Sequence, residues 1–130
     1  MGKAILFLTI IFFSNFIGMY YGMYSYWWFD TTHHFLGGFF VAMLFGAYFA
    51  DTKFPSKRFR WLAVIGATTF IGVVWEFAEY AASQTLIEPL YHNFGIRAYF
   101  IGDLNDTIKD LLMDIVGAFS WLAIFVRQRK

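Results

Sequence analysis

Four apolar runs of about twenty residues each constrain this chain more than any other feature. They cover residues 4–24, 31–50, 61–82 and 107–126. A helix of roughly 20 residues crosses a hydrocarbon core about 30 Å thick. Inside that core every backbone polar group must be satisfied within the chain, which leaves helices or a closed barrel. Charged residues make up only 15% of the sequence, and 18 of its 130 residues are Phe, a balance that does not suit a water-soluble domain. The expected fold is all-α: a four-helix transmembrane bundle forming a single integral membrane domain over 1–130. The first run is too long for a secretory signal and no small-x-small cleavage site follows it. The absence of cysteine excludes disulfides and thiolate metal sites.

Within the runs, small residues recur at helical spacing. Ser14, Gly18 and Gly22 form one such seam, and Gly38, Ala42 and Gly46 a second. Seams of this kind let neighbouring helices approach closely in a membrane. Tyr24, Tyr26, Trp27 and Trp28 cluster where the first run ends, as amphipathic aromatics do at headgroup level. Asp30 or Thr31 can cap the second helix. Pro55 breaks the short 51–60 loop. A looser connection is expected over 83–105, with Pro89, His92, Gly95 and Arg97.

Charge sets the orientation. Lys3, the 51–60 loop and the C-terminal tail hold eight of the ten Lys and Arg and one acid, Asp51. By the positive-inside rule these segments, and therefore both termini, are expected in the cytoplasm. All eight remaining acids and all three histidines then fall on the outer half.

Four of those acids, Asp103, Asp106, Asp110 and Asp114, step by three, four and four, which on a helix is one stripe. Glu76 and Glu79 are three apart and share a face. At about 1.5 Å per residue, Glu76 lies roughly 22 Å from Trp61 at the inner edge, and Asp114 roughly 11 Å in from Thr107. His34, Glu79 and Asp110 come out within about 5 Å of the outer edge. His34, four residues before Gly38, points toward the second seam; His33 is turned about 100° away.

A capping box at Thr107-x-x-Asp110 accounts for Asp106, Thr107 and Asp110 without any further role. It does not account for Asp114, one turn deeper, or for Glu76 and Glu79. Arg97 and Lys109 are the only Lys or Arg outside the basic segments, too few to neutralise five embedded acids. Such groups bind a metal, share protons or line a water-filled cavity. Histidine with carboxylates and no thiols suits Zn, Mn or Fe, and an all-oxygen subset suits Mg or Ca. The Glu-x-x-Glu pair resembles half of a carboxylate-bridged metal site without its Glu-x-x-His form. No His-Glu-x-x-His is present. Asp103-x-Asn105-x-Thr107 starts like an EF-hand, but Ile108 stands at the required glycine and Asp114 at the required glutamate. There is no P-loop, no Gly-x-Ser-x-Gly and no outward basic patch for nucleic acid.

Three motifs then run together: Asp30-x-x-x-His34-Phe35-x-x-Gly38, Trp75-Glu76-x-x-Glu79, and Gly102-Asp103-x-x-Asp106-x-x-x-Asp110 with a closing Gly117-Ala118. On these motifs the sequence resembles the YjdF-like group of small bacterial and archaeal membrane proteins of unknown function, over the last three apolar runs. The final motif is also similar to VanZ-like proteins, which affect glycopeptide susceptibility at the cell envelope. In those a basic residue usually follows the Glu helix and Asn commonly stands near the position of Asp114. The resemblance implies a multi-pass protein of a bacterial or archaeal cytoplasmic (inner) membrane.

The leading expectation is a membrane-embedded, metal-dependent, hydrolase-like enzyme acting on a lipid-linked or headgroup substrate at the outer face. His34, Glu76, Glu79, Asp110 and Asp114 are its expected metal ligands, with Asp106 or Asp30 as general base. Two other readings use the same residues: an ion-binding or proton-coupled transport element, and an accessory subunit of a larger membrane complex with a structural cation. A homo-oligomer is compatible with all three.

Overall fold

The computed structural model describes residues 1–127, and every secondary-structure element among them is helical. Gln128, Arg129 and Lys130, part of the basic tail expected in the cytoplasm, lie outside the described residues. Five α-helices follow in order: α1 (Gly2–Tyr20), α2 (Trp27–Tyr48), α3 (Lys57–Thr85), α4 (Ile87–Phe94) and α5 (Leu104–Arg127), with a 3₁₀ turn at Met23–Ser25. Two of them, α1 and α3, combine the length and apolarity of a membrane span, with mean hydropathies of 1.7 and 1.6 over their most apolar stretches. The polar groups of α2 and α5 dilute the same signal there.

α2 is the central element. It packs most extensively on α5 and also meets α1 and α3, while α3 packs on α5. The α2–α5 seam is built of missing side chains. A Cβ on Gly38 would strike the backbone of Asp114, and one on Gly117 would lie 2.7 Å from the Phe39 nitrogen. Ala42 and Ala118 are fully buried in the same seam, and Gly46 lies under the Trp121 ring. Because residue numbers rise together along these contacts, α2 and α5 run parallel. The α1–α2 contacts (Ser14 with His33, Phe7 with Phe40) and α2–α3 contacts (His34 with Glu76, Arg60 with Gly46) run in opposite senses, so those pairs are antiparallel. Lys3, the 51–60 loop and the end of α5 therefore share one end of the assembly, and the histidine–carboxylate groups lie toward the other. Ala42, Val64, Ala118 and Leu122 form an apolar core near the basic end, with Phe45, Phe49, Ile65 and Trp121 around it.

Local chemistry moves several boundaries. α1 ends at Tyr20, so Gly22 is not the third member of a helical seam. It takes φ +67° and the left-handed conformation at the turn into Met23–Ser25. Gly18 does pack, against the Phe29 ring. Ser56 caps α3 by accepting the Phe59 N–H at 3.3 Å. α3 then runs 29 residues, about 43 Å at the α-helical rise. The expected loose connection contains α4 instead. Pro89 is tolerated there because it sits in the first turn, where its missing N–H has no intrahelical partner. Gly95, also at φ +67°, closes α4, with its N–H bonded to the Tyr91 carbonyl at 2.9 Å and Ile96 N–H to the Leu90 carbonyl at 3.2 Å. α5 begins three residues before the expected capping box, because Asp103 Oδ1 accepts the Asp106 N–H at 3.0 Å and acts as the cap.

Candidate functional site

His34 is the hub. Its helix α2 is held close to α5 by the glycine seam, and the ring sits among carboxylates from three helices. Nε2 lies 3.7 Å from Asp30 Oδ1 and 3.8 Å from Glu76 Oε1, and Nδ1 lies 3.5 Å from Asp114 Oδ2. His34, Glu76, Asp110 and Asp114 are each more than nine-tenths buried. Room for Asp114 comes from two glycines: its backbone lies against Gly38, and its carboxylate occupies the space that a side chain on Gly72 would take.

Two overlapping ligand sets share the imidazole. In Asp30, His34 and Asp110 one ligand atom from each residue lies within 4.8 Å of the others, and the same holds for His34, Glu76 and Glu79. Three buried carboxylate oxygens around the hub, Glu76 Oε1, Asp110 Oδ1 and Asp114 Oδ2, have no hydrogen-bond partner. Each such oxygen costs about 1–3 kcal/mol when left unpaired, and more if it is ionised. An oxygen-rich set with one imidazole and no thiolate is chemistry that a divalent cation satisfies. Glu79 is already oriented, since Trp75 Nε1–H donates to its Oε1 at 2.8 Å, the kind of outer partner that fixes a ligand.

A family model described as "Predicted membrane protein (DUF2238)" matches residues 2–130. The chain belongs to this family. Neither a YjdF-like nor a VanZ-like name attaches to that match. No curated protein and no solved structure matches the chain.

In this DUF2238 chain two spaces flank the hub. One, about 390 Å³, lies between α1, α2 and α3; it is walled by Leu8, Phe12, Val41, Ile71 and Trp75 and reaches His34 and Asp114. The other, about 330 Å³, is a polar mouth formed by Tyr24, Trp27, Asp30, Tyr99, Asp106 and Lys109 together with Tyr26 and Asp103. The Asp30–His34 contact stands between them, His34 lining the first and Asp30 the second.

Of the residues singled out in the sequence, Asp30, His34, Glu76, Glu79, Asp110 and Asp114 converge. Asp106 stands apart, in the mouth, where its Oδ1 is 2.5 Å from Lys109 Nζ. Lys109 Nζ is also 3.6 Å from Asp110 Oδ1, so this lysine links mouth and hub. Its sequence signal was its place between two members of the acidic stripe. His33 faces α1: Nδ1–H donates to the Phe29 carbonyl at 2.8 Å, and Nε2 is 2.6 Å from Ser14 Oγ. His92 is exposed on α4. Sequence reasoning passed over Asn15, a lone buried amide in an apolar helix, which accepts from the Tyr24 hydroxyl and ties α1 to the turn before α2. At the mouth, partial desolvation first and then the negative charges of Asp106 and Asp103 raise the hydroxyl of the half-exposed Tyr99 above the usual phenol range.

Proposed function

We propose that this chain spans the membrane as a four-helix bundle with both termini cytoplasmic. At its outer half it holds one divalent cation, and it uses that cation in a hydrolase-like reaction on a lipid-linked or headgroup substrate. The observation that carries the reading is the trio of buried carboxylate oxygens around His34 that accept no hydrogen bond and meet only His34 or Lys109 at 3.5–3.8 Å, placed between an apolar cavity and a polar mouth. His34, Glu76 and Glu79, whose ligand atoms lie within reach of one another, would hold the ion, with Asp114 on the imidazole Nδ1 orienting the ring and Asp110 in the overlapping set with Asp30; the imidazole favours Zn, Mn or Fe, and the oxygens serve Mg or Ca. A cation there supplies Lewis acidity and a water that ionises near neutral pH. Asp30 is the better placed general base, because it lines the mouth and touches His34, whereas Asp106 is engaged by Lys109. Tyr99 and Lys109 stand where a headgroup would enter, in a mouth whose three aspartates, Asp30, Asp103 and Asp106, outnumber its lysine.

Transport is disfavoured by the apolar core at the basic end. Thr68, the buried polar residue of α3 nearest that core, bonds its hydroxyl to the Val64 carbonyl of its own helix at 2.9 Å and offers no polar route onward. A structural cation in an accessory subunit would use the same ligands without turnover. The deciding experiment is stoichiometric metal analysis of the purified protein, followed by incubation of the metal-loaded form with a mixed-lipid extract and chromatography for released headgroups. One metal per chain and headgroup release abolished in Asp30→Asn support the proposal. Metal without turnover leaves the accessory reading, and an empty site removes both.

A further inference from the structure

Of the two spaces that flank the hub, the mouth is the one that suits an entering cation. The other is walled largely by hydrocarbon side chains, among them Leu8, Phe12, Val41 and Ile71, and stripping an ion of water against such walls is costly. The mouth sets Asp30, Asp103 and Asp106 against one lysine, Lys109, an excess of negative charge that concentrates cations. Asp30 joins the mouth to the hub, because its Oδ1 lies 3.7 Å from His34 Nε2.

Two ligand sets follow one another along this line. Asp30, His34 and Asp110 form the set nearer the mouth, and His34, Glu76 and Glu79 the set beyond it. One nitrogen serves both: Nε2 is 3.7 Å from Asp30 Oδ1 and 3.8 Å from Glu76 Oε1, while Nδ1 faces Asp114. An imidazole nitrogen offers one lone pair, so the two sets are alternative seats for a single ion. The nearer set already has a tethered cation. Lys109 Nζ lies 3.6 Å from Asp110 Oδ1, an oxygen that accepts no hydrogen bond on a residue only 3% exposed. The same ammonium has a closer partner in Asp106 Oδ1 at 2.5 Å. The Asp106 carboxylate is seated in the space that a side chain on Gly102 would take. Lys109 can therefore give up Asp110 to an arriving ion and remain paired.

We infer that Asp30, His34 and Asp110 form an outer station for a divalent cation, guarded by the Lys109 ammonium, from which the ion passes to His34, Glu76 and Glu79. The loss of its water is then divided between two steps, each offset by carboxylate ligands. Once the ion has moved on, Asp30 no longer shares Nε2 with it and is free to act as the base assigned to it above. The inference rests on the cation reading proposed above and adds the route by which the ion enters and leaves.

The test is stopped-flow uptake and release of Zn by the full chain in detergent, followed with a zinc-responsive dye, with metal content measured on the same samples. A station on the route changes the barrier in both directions, so uptake and release move together. A charge that acts only on the inner site moves them in opposite directions. Asp30→Asn is expected to slow both uptake and release about tenfold or more, the scale of losing one ligand or its support. Lys109→Met is expected to speed both, with unchanged helical content. Should Asp30→Asn fail to fold, Lys109→Met decides, because the lysine side chain is 40% exposed. Uptake and release moving oppositely, or unchanged rates in either folded variant, overturn the inference and leave the inner site standing. Failure of the wild type to take up stoichiometric Zn or Mn overturns the cation reading, and the inference with it.

Discussion

Replacing Glu76 with Gln keeps the shape of the side chain and removes one charge from the hub. Glu76 is 94% buried by its 6% exposure, its Oε1 has no partner, and that oxygen lies 3.8 Å from His34 Nε2. If a divalent cation satisfies this oxygen, the ion binds the folded protein and not the unfolded chain. At a free concentration one hundred times its dissociation constant it then stabilises the fold by about 2.7 kcal/mol. For a chain of this length, between the sizes for which scaling is known, that corresponds to a melting shift of roughly 8–14 °C. The assay is thermal unfolding in detergent followed by tryptophan fluorescence, first with a strong chelator and then across a panel of Zn, Mn, Fe, Mg and Ca. Wild-type protein is expected to lose the shift on chelation and regain it with Zn or Mn. The response should also weaken at low pH, where protons compete for the carboxylates and His34. Glu76→Gln is expected to show little or none of it, while its melting temperature in chelator stays near that of the wild type, because relieving the repulsion among the clustered carboxylates offsets the lost attraction to His34. An equal metal response in wild type and Glu76→Gln, or no response to any metal in the wild type, refutes the reasoning.

Three further outcomes are expected. With no native cysteine to mask, single cysteines at Lys57 and His92 report topology directly; position 92 should label from outside intact cells and position 57 only after permeabilisation, and external labelling of 57 inverts the arrangement. Gly117→Ala should destabilise by about 1–3 kcal/mol, as overpacking does, since its new methyl would meet the α2 backbone at Phe35 and Phe39. Gly66→Ala, on the same kind of helix but with open space around it, should instead stabilise by about 0.5–1 kcal/mol, and chemical denaturation of the pair separates close packing from propensity. Trp75→Phe removes the 2.8 Å hydrogen bond that orients Glu79 and should weaken metal affinity by about 10–100-fold with the fold retained, as read by metal titration; unchanged affinity would show that Glu79 is not a ligand.

The helical class and the acidic stripe were legible in the chain itself, because both are periodic properties of local sequence. Apolar runs of spanning length permit little but helix, and Asp106, Asp110 and Asp114 share a face at any tertiary arrangement of α5, while Asp103 stands before it as the cap. Local reading failed where short-range chemistry competed. α4 hid in a segment whose Pro89 and Gly95 read as breakers, although one occupies a first turn and the other a terminus. The start of α5 went to Asp103 because an aspartate one turn earlier reached the Asp106 N–H. Matching depths along the helices led to the expectation of one shared site, but which carboxylates face which nitrogen of His34 was decided by tertiary structure. That arrangement depends on Gly38, Gly72 and Gly117 letting three backbones approach closely enough for carboxylates distant in sequence to surround one imidazole. Close approach is a property of pairs of helices, and a glycine's spacing in one helix does not say which surface of another it meets. The same holds for Asp106, paired with Lys109 in the mouth, for His33, turned to Ser14, and for the cavity between α1, α2 and α3.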